Sequence, residues 1–450
     1  MTRRLLALLA AALLAPAGLA AQKPTEKPAQ PVAAADTAVA MPTPAVAPTA
    51  QAASSAARFR AVDATADATP ESAEQSVAAL AAYLARAGSD DLTRARALFR
   101  WIAGNIDYDA TGFRTGNHGD QSADGVLRSR SSVCEGYARL TEALGAAMGL
   151  EVRVVSGWSK GYGYTTGQRF DGPTNHAWNA VRVDGRWRLM DPTWGAGYLD
   201  QQGRFVRRFQ EHYFLTAPDA FVFDHLPQDP QWQLLDRPVT AEEYVDLAFL
   251  RPMFFTAGFR IGSHPRARIA ATDRVAITLG TTQPVQMSAR VLDAATDRPL
   301  EGEFGFVQVA GGEAQIQVAF PRPGDYLVRI FAKPQGAEGP LSWVMDYRVT
   351  ASRGTPDAAF PMAFTGFGAR GAWLFEPLGG LLQAGQSYHF RLRAPGALDV
   401  AVVANGQWTH LTRAGEEWAG DATAAAGNVV VFAKYDPTSN FTGLLRYTGR

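Results

Sequence analysis

The sequence predicts an α+β core followed by two all-β, immunoglobulin-like sandwich modules. Apolar residues recur at helical spacing through much of the stretch from 70 to 150, which is typical of amphipathic helices. An Asp-Gly pair near position 184, between two alternating runs, predicts a β-hairpin in the same half of the chain. From about 265 onward, short alternating runs separated by Gly, Pro and Asp indicate many short strands, as sandwich folds have.

Length and charge exclude several classes of function. The 450 residues suffice for two or three domains, and Lys plus Arg equal Asp plus Glu at 43 each. This balance gives no reason to expect nucleic acid or an anionic membrane as a partner. The seven histidines are scattered, and neither a His-x-x-x-His nor a Cys-x-x-Cys pattern occurs. We therefore predict neither a metal site nor any other cofactor.

The segment 1–21 has the pattern of a secretory signal peptide. Arg3 and Arg4 supply the charged start, 5–15 the apolar run, and 18–21 the small residues of a cleavage region. That run is too short to cross a bilayer, and no other stretch is long and uncharged enough to do so. We expect an exported protein, periplasmic or secreted, with no integral membrane segment after signal removal.

Composition divides the rest of the chain into four segments. Residues 22–57 are rich in Pro, Ala and Thr and have almost no large apolar side chains, which predicts a disordered linker. The α+β core is predicted over 58–263. The change to short alternating strands then predicts one β-sandwich module over 264–353 and a second over 354–450.

Two helices are predicted at the start of the core. The first follows Pro70, a residue type favoured at the first helical position, and places Leu80 and Leu84 on its buried face. The second begins at Asp90 or Asp91, since aspartate is a preferred N-cap, and continues with apolar residues at helical spacing. The apolar face of each helix is expected to point inward.

The only cysteine, Cys134, is predicted at the first turn of a third helix. Ser131 and Ser132 precede it and belong to the residue types that cap helix N-termini. Apolar residues then recur at helical spacing until Gly149. Backbone N–H groups and the helix dipole at such a position favour the thiolate, which is the nucleophilic form of cysteine. The alternative is that Cys134 is a small buried apolar residue.

A β-hairpin follows an apolar strand at 152–158. Its turn is Asp184-Gly185, a pair that favours two-residue hairpin loops. Because a two-residue turn fixes how the strands face each other, Val183 is expected opposite Arg186.

This register brings His176 and Asp191 together. Counting back from the turn, His176 faces Thr193 and Asp191 faces Trp178, so that all four share one face of the sheet. His176 and Asp191 are then diagonal neighbours, with backbones roughly 7–8 Å apart. A carboxylate at that position can orient an imidazole. A helix-borne Cys, a strand-borne His and an Asp on the neighbouring strand are the parts of an activated thiol nucleophile.

Two loops near the hairpin contain aromatic residues or histidines. Tyr162 and Tyr164 lie in a Gly-rich loop before His176, and this loop is either a mobile rim that contacts substrate or an ordinary surface loop. His212 and His225 follow the hairpin in apolar or aromatic company, so structural roles are expected for both.

The two β modules show no arrangement of residues suited to catalysis. Strands of the first module are predicted at 275–279, 287–292, 304–309, 314–320, 325–331 and 341–349. Strands of the second are predicted at 388–392, 399–403, 408–411 and 429–433. Phe331-Ala332-Lys333 and Phe432-Ala433-Lys434 occupy similar places in the two modules, which indicates either an internal repeat or chance. By analogy with other sandwich modules, they are candidates for binding a protein or cell-envelope partner.

The chain resembles the transglutaminase-like, papain-type superfamily. The motifs that carry this resemblance are Val133-Cys134-Glu135-Gly136-Tyr137-Ala138, His176-Ala177-Trp178-Asn179 and Asp191-Pro192-Thr193-Trp194-Gly195. The stretch from Arg100 to Asp109 is similar to the helix that precedes the cysteine in bacterial members. Tyr213-Phe214-Leu215 and the segment 225–235 look like the region after the core in the kyphoscoliosis-peptidase branch. The resemblance covers roughly positions 71 to 260.

The resemblance implies a Cys134–His176–Asp191 triad that cleaves protein or peptide amide bonds through an acyl-thioester. Trp178, Tyr162, Tyr164 and Trp194 are the candidate substrate-binding residues. Two alternatives stay open: a transglutaminase, in which an amine replaces water, and a non-catalytic interaction module. We expect water as the second substrate, because acidic residues that could accept a lysine do not cluster in sequence beside the triad beyond Glu135 and Asp171.

Overall fold

The computed structural model describes residues 49–450, with side chains from 58 onward. The predicted signal peptide and most of the predicted linker lie outside the described residues. Within the described part, no helix is long and apolar enough to span a membrane.

The α+β core contains eight helices and eight strands among the described residues. Its helices are α1 (Thr49–Asp67), α2 (Val77–Leu84), α3 (Asp91–Asn105), α4 (Ala110–Thr115), α5 (Ala123–Ser129), α6 (Cys134–Ala147), α7 (Pro192–Ala196) and α8 (Pro218–Phe221). Its strands are β1 (Asp107–Tyr108), β2 (Ser131–Ser132), β3 (Val152–Ser159), β4 (His176–Val183), β5 (Arg186–Met190), β6 (Gly197–Leu199), β7 (Phe205–Arg207) and β8 (His225–Pro227).

Helix α1 was not predicted, and it overlaps the end of the predicted linker. Its last turns are tied to α3 by Arg96, which pairs with both oxygens of Asp63 at 2.7 and 2.8 Å. Arg96 is 3% exposed and also pairs with Glu211. The helix begins at Thr49, so residues 49–57 are helical, whereas the prediction placed them in the disordered linker 22–57.

The helices predicted before Cys134 are confirmed. Leu80 and Leu84 are fully buried in α2, although a short 3₁₀ turn rather than α-helix follows Pro70. Asp90 caps α3 by accepting a hydrogen bond from the Thr93 N–H at 2.9 Å.

The core sheet has the strand order β5-β4-β3-β8, with every pair antiparallel. The predicted hairpin register is confirmed over β5, since Val183 pairs with Arg186 and the pairing continues to Asn179 and Met190. The predicted pairing of His176 with Thr193 is wrong, because β5 ends at Met190 and Thr193 lies in helix α7. Helix α6 packs on β3 and β4, and the side chain of Asn179 donates to the carbonyl oxygen of Ala138 at 3.0 Å. The start of α6 is therefore held above the hairpin.

The first β module begins earlier than the predicted boundary at 264. Its elements are α9 (Ala241–Asp246), β9 (Phe249–Leu250), α10 (Pro252–Thr256), β10 (Phe259–Ile261), β11 (Arg268–Ala271), β12 (Arg274–Thr281), β13 (Val285–Asp293), β14 (Arg298–Pro299), β15 (Gly305–Ala310), β16 (Glu313–Ala319), β17 (Gly324–Pro334) and β18 (Ser342–Ala351). One sheet has the order β10-β12-β16-β15 and the other β11-β18-β17-β13-β14. Because β9 pairs with β18 and β10 with β12, residues before 264 form part of this module.

The second β module repeats the strand arrangement of the first. Its elements are β19 (Met362–Ala363), α11 (Thr365–Ala369), β20 (Trp373–Glu376), β21 (Leu381–Leu382), β22 (Ser387–Arg393), β23 (Asp399–Ala404), β24 (Gln407–His410), β25 (Thr412–Ala414), β26 (Glu417–Thr423), β27 (Gly427–Lys434) and β28 (Thr442–Gly449). Its sheets have the orders β19-β28-β27-β23-β24 and β20-β22-β26-β25. The register of β17 shifts just before Phe331, and that of β27 shifts just before Phe432. A bulge at the same place supports the internal repeat.

Candidate active site

Cys134 is the first residue of α6 and is partly exposed. The N-cap is Val133, whose side chain cannot cap, so the expectation that a serine caps this helix is wrong. The amide oxygen of Gln121 takes that role instead. It accepts from the Gly136 N–H at 3.2 Å and from the Ser132 hydroxyl at 2.8 Å. A loop residue thus fixes the turn that presents the thiol, and the sequence alone gave no signal for it.

His176 and Asp191 are in direct contact. His176 Nε2 lies 2.8 Å from Asp191 Oδ2, and Asp191 is completely buried. Asp191 also caps α7, because its Oδ1 accepts from the backbone N–H groups of Thr193 at 2.8 Å and Trp194 at 3.1 Å. The carboxylate therefore has one oxygen for the backbone and the other for the imidazole ring.

The imidazole of His176 is within electrostatic reach of both this carboxylate and the Cys134 thiol. Because Nε2 faces Asp191, Nδ1 is the ring nitrogen left for the sulfur. Burial by itself would lower the pKa of His176, but the charge and hydrogen bonds of Asp191 and Cys134 raise it above its ordinary value. Burial would raise the pKa of Asp191, yet His176 and His225 hold it well below its usual range. Both shifts favour an ion pair.

His225 lies in the site, although a structural role was expected for it. Its Nε2 is 3.2 Å from Asp191 Oδ2, and its Nδ1 is 2.6 Å from Asp224 Oδ1. Asp224 Oδ2 in turn accepts a hydrogen bond from the Tyr213 hydroxyl at 3.1 Å. The three-residue strand β8 brings His225 here by pairing with β3. So short a strand gives no periodicity from which this pairing could be predicted.

His176, Asp191 and His225 could also face a single metal ion. One ligand atom from each lies within 4.8 Å of the others. In this structure the Nε2 atoms of both histidines are hydrogen-bonded to the same Asp191 oxygen, Oδ2. The absence of a metal site stays a prediction.

The two candidate tryptophans differ in position. Trp194 stacks on His176 with ring centroids 5.2 Å apart and is partly exposed, so it can meet a substrate beside the imidazole. Trp178 is only 1% exposed and packs edge-on against His225 and Phe221. The structure therefore gives Trp178 a packing position behind the triad rather than one that faces substrate.

The two candidate tyrosines also differ in exposure and contacts. Tyr162 is 53% exposed, as a rim residue would be. Tyr164 turns away from the solvent, stacks on Phe170 with an interplanar angle of 6°, and meets Phe249 of the first β module. Its hydroxyl accepts the Gly167 N–H at 3.2 Å. Burial raises the pKa of Tyr164 to about 12. Tyr164 thus belongs to the junction between the core and the module.

A shallow cavity of about 340 Å³ lies beside the start of the cysteine helix. Strand β1 pairs in parallel with β2, and the Asp109 N–H donates to the Ser132 carbonyl at 2.9 Å. The residues that line the cavity are Asp107, Tyr108, Asp109, Ala110, Thr111, Ser131 and Phe205. Burial, together with the negative charges of Cys134, Asp191 and Asp109, holds the pKa of Tyr108 well above its usual range, so it stays a neutral phenol near the thiol.

Two segments of the chain match known families. Residues 78–192 match the sequence model of the transglutaminase-like superfamily. Residues 241–362 match that of the KY-like, immunoglobulin-like domain. The fold is accordingly a transglutaminase-like core followed by immunoglobulin-like modules, as predicted. The first match supports a family of thiol-type enzymes for the core.

The curated relatives are longer proteins that share this part. Over 260 residues the chain is 33% identical to "Kyphoscoliosis peptidase" of Mus musculus. This alignment covers 57% of this chain and 38% of the relative. Over 267 residues it is 32% identical to "Hillarin" of Drosophila melanogaster, covering 54% of this chain and 32% of the relative. The chain thus spans less than half the length of either relative. A solved structure described as a TGase aligns with 35% of this chain, and the alignment covers 36% of the solved chain. The two are 19% identical over this part, with a TM-score of 0.21.

Proposed function

We propose that this protein is a thiol peptidase or amidase that acts on protein or peptide amide bonds. The observation that carries the proposal is the 2.8 Å contact between the imidazole of His176 and the buried carboxylate of Asp191. The Cys134 thiol, at the start of α6, acts electrostatically on the same ring. An activated thiol needs a base in contact with it and a third group that orients the base. The name of the mouse and human relatives, "Kyphoscoliosis peptidase", also favours hydrolysis.

Acylation begins when the Cys134 sulfur attacks the carbonyl carbon of the substrate. The new S–C bond pushes negative charge onto the carbonyl oxygen, which meets backbone N–H groups at the first turn of α6. His176 Nδ1 then gives its proton to the leaving nitrogen as the C–N bond breaks. The products of this step are a free amine and a thioester on Cys134.

Deacylation returns the enzyme to its starting state. His176, now neutral, takes a proton from water, and the resulting hydroxide attacks the thioester carbonyl. The S–C bond breaks, the carboxylic acid leaves, and the proton on His176 pairs again with the thiolate. Asp191 holds the ring in one orientation throughout and stabilises its charged form.

Amine transfer is the second candidate, and one observation favours it. Asp107 and Asp109 line the cavity beside the start of α6, so carboxylates do gather near the thiol in space, although not in sequence. A cationic amine could be attracted there. However, Asp107 is paired with Arg207, and Asp109 caps α4 by accepting the Gly112 N–H at 2.8 Å. Because both carboxylates already have partners, we favour water.

The test is to alkylate and to trap Cys134. Iodoacetamide should modify Cys134 faster than a free thiol near neutral pH, and more slowly in a His176→Ala variant. A complex peptide mixture with a labelled primary amine should yield an acyl-enzyme on Cys134, new peptide carboxylates and little amine incorporation. The matched control is Cys134→Ser. Amine incorporation that outpaces hydrolysis would establish the transferase instead. Equal alkylation rates in wild type and His176→Ala would favour a non-catalytic interaction module.

A further inference from the structure

The side chain of His225 lies between two buried carboxylates. Its Nε2 faces Asp191 at 3.2 Å, and its Nδ1 faces Asp224 at 2.6 Å. His225 is 1% exposed and Asp224 is 3% exposed, so water does not compete for these contacts. The ring cannot rotate away, because Phe221 stacks on it with centroids 4.0 Å apart and Trp194 covers it at 4.5 Å.

Hydrogen-bond chemistry decides the protonation state that fits this position. An ionised carboxylate only accepts hydrogen bonds, whereas a neutral imidazole has one donor and one acceptor nitrogen. A neutral His225 would therefore turn a lone pair toward one of the two carboxylates. Only the imidazolium donates to both, and a buried charge is tolerated when it is paired and hydrogen-bonded in this way.

We propose that His225 is a positioning residue of the active site that carries a proton on both ring nitrogens and shares Asp191 Oδ2 with His176. This inference builds on the proposed thiol chemistry of Cys134. In it, Asp191 bridges two imidazoles, and Asp224 supplies the countercharge behind the second one. Both ring nitrogens of His225 face carboxylates, so it acts on the site through Asp191.

The shared oxygen has a consequence for His176. A second cation near Asp191 draws part of the carboxylate charge away from His176, which limits how strongly the carboxylate holds the His176 proton. That proton must be released to the leaving nitrogen during acylation. His225 thus adjusts the acidity of the general acid in the direction that favours proton transfer.

Other titratable groups face His225 and bear on its charge. The rings of His176 and Tyr213 lie 5.4 and 6.0 Å from it between centroids. Burial lowers the pKa of the nearby His212 to about 4, so that ring is neutral around pH 7. Lys160 lies beyond Asp224, and burial lowers its pKa to about 7. Its backbone N–H donates to the carbonyl oxygen of Asp224 at 3.0 Å. Of these groups, only the two carboxylates are in hydrogen-bond contact with His225.

The first measurement is the charge of His225 in the intact protein. Histidines labelled with ¹⁵N are observed by NMR through the range in which histidines titrate, and the His225 signals are assigned by their loss in His225→Gln. We expect both nitrogens of His225 to show the shifts of protonated imidazole around pH 7. A neutral tautomer there would overturn the inference.

The second measurement separates positioning from charge balance. His225→Gln should lower the thermal midpoint, because it leaves Asp224 buried without a cation. Adding Asp224→Asn removes that charge, so the double variant should regain much of the lost midpoint. Its turnover should still be roughly 10- to 100-fold slower than that of wild type, with KM little changed. This is the usual effect of losing a residue that orients a functional side chain through a hydrogen bond. Full recovery of turnover in the double variant would show that His225 only balances charge and would overturn the proposal.

The pH profile of Cys134 alkylation by iodoacetamide gives a readout that needs no substrate. The alkylation rate of Cys134 should change at the pH where His176 loses its proton, and we call this change the His176 step. In the double variant, the His176 step should move up by about one pH unit, because a nearby positive charge has gone. A His212→Gln variant is the matched control, since His212 stacks on Phe255 and should leave the step in place. An unmoved step in the double variant counts against the inference. If wild-type Cys134 shows no elevated reactivity, the proposed function fails, while the histidine spectrum still decides the charge of His225.

Discussion

Asp191 is the residue on which the candidate site converges. Its Oδ1 accepts two backbone N–H groups, and its Oδ2 faces two imidazole rings. The same short motif, Asp-Pro-Thr-Trp, therefore caps a helix and orients the ring of His176, the proposed general acid. Because the cap fixes the carboxylate before any substrate arrives, the ring of His176 needs no rearrangement on binding.

The pH dependence of stability should report this pair. The pKa of His176 is raised from 6.5, so its contribution is fully present below about pH 6.5 and is lost as pH rises toward the raised value. The pKa of Asp191 is lowered from 3.8, so its contribution is present above about pH 3.8 and is lost as pH falls. The difference in free energy of unfolding between wild type and His176→Gln should therefore be largest between these values and smaller on either side. Urea unfolding across this range measures it, and a difference that does not vary with pH would contradict the ion pair.

At the scale of elements, β3 holds the strands of His176 and His225 side by side, although it contributes no residue to the proposed triad. Its Gly157 pairs with His176 on one side and with Pro227, two residues after His225, on the other. A Cβ at this position would lie 2.2 Å from the Leu226 carbonyl oxygen and 2.5 Å from the Trp178 ring. Glycine is required here because the neighbouring backbone approaches too closely for any side chain.

We expect Gly157→Ala to lower the free energy of unfolding by about 1–3 kcal/mol, the range for inserting a methyl group into a packed interior. Because the methyl group pushes on Leu226, it should also displace His225 from Asp191. Gly172→Ala is the matched control, since nothing lies within 4 Å of its added Cβ. Denaturant unfolding and the His225 NMR signals measure the two effects. Equal stability of the two variants would contradict the proposed close approach.

Sequence reasoning succeeded where a local rule fixes the geometry. The two-residue turn at Asp184-Gly185 sets the register of the hairpin, and that register brings His176 to Asp191. The predictions that failed concern contacts between residues that are far apart in the sequence and meet only in the folded protein. Strand β4 is buried on both faces, so alternation could not tell that Trp178 packs away from solvent. His225 arrives from a strand of three residues whose partner lies far back in the sequence.

At the scale of the whole molecule, a buried lysine joins the core to the first β module. Lys160 follows β3, is completely buried, and its Nζ donates to the carbonyl oxygen of Leu247 at 3.0 Å. The ammonium lies over the ring of Tyr244 at 4.5 Å. At the same junction, Tyr164 of the core packs edge-on against Phe249 of the module, with ring centroids 5.0 Å apart. The boundary between domains is therefore a packed interface and not a flexible linker.

Lys160→Met should change how stability depends on pH. Burial lowers the pKa of Lys160 from 10.5 to about 7. Between these values the unfolded chain binds more protons at this residue than the folded chain, so wild-type stability gains as pH rises. The thermal midpoint of wild type relative to Lys160→Met should therefore increase from about pH 7 to about pH 10 and stay flat below. Lys333→Met, in the first β module, controls for the loss of a lysine. A pH-independent difference for Lys160→Met would show that the amine is not desolvated.

The position of β3 between β4 and β8 also determines how the molecule can open. Both imidazoles that face Asp191 belong to strands hydrogen-bonded to β3, and these strands have no other shared partner in the sheet. A fluctuation that releases β3 therefore frees His176 and His225 in a single event, as a cooperative unit of local unfolding would. Amide protons on all three strands should then exchange with solvent at a common rate, and His176 and His225 should lose their contacts with Asp191 together.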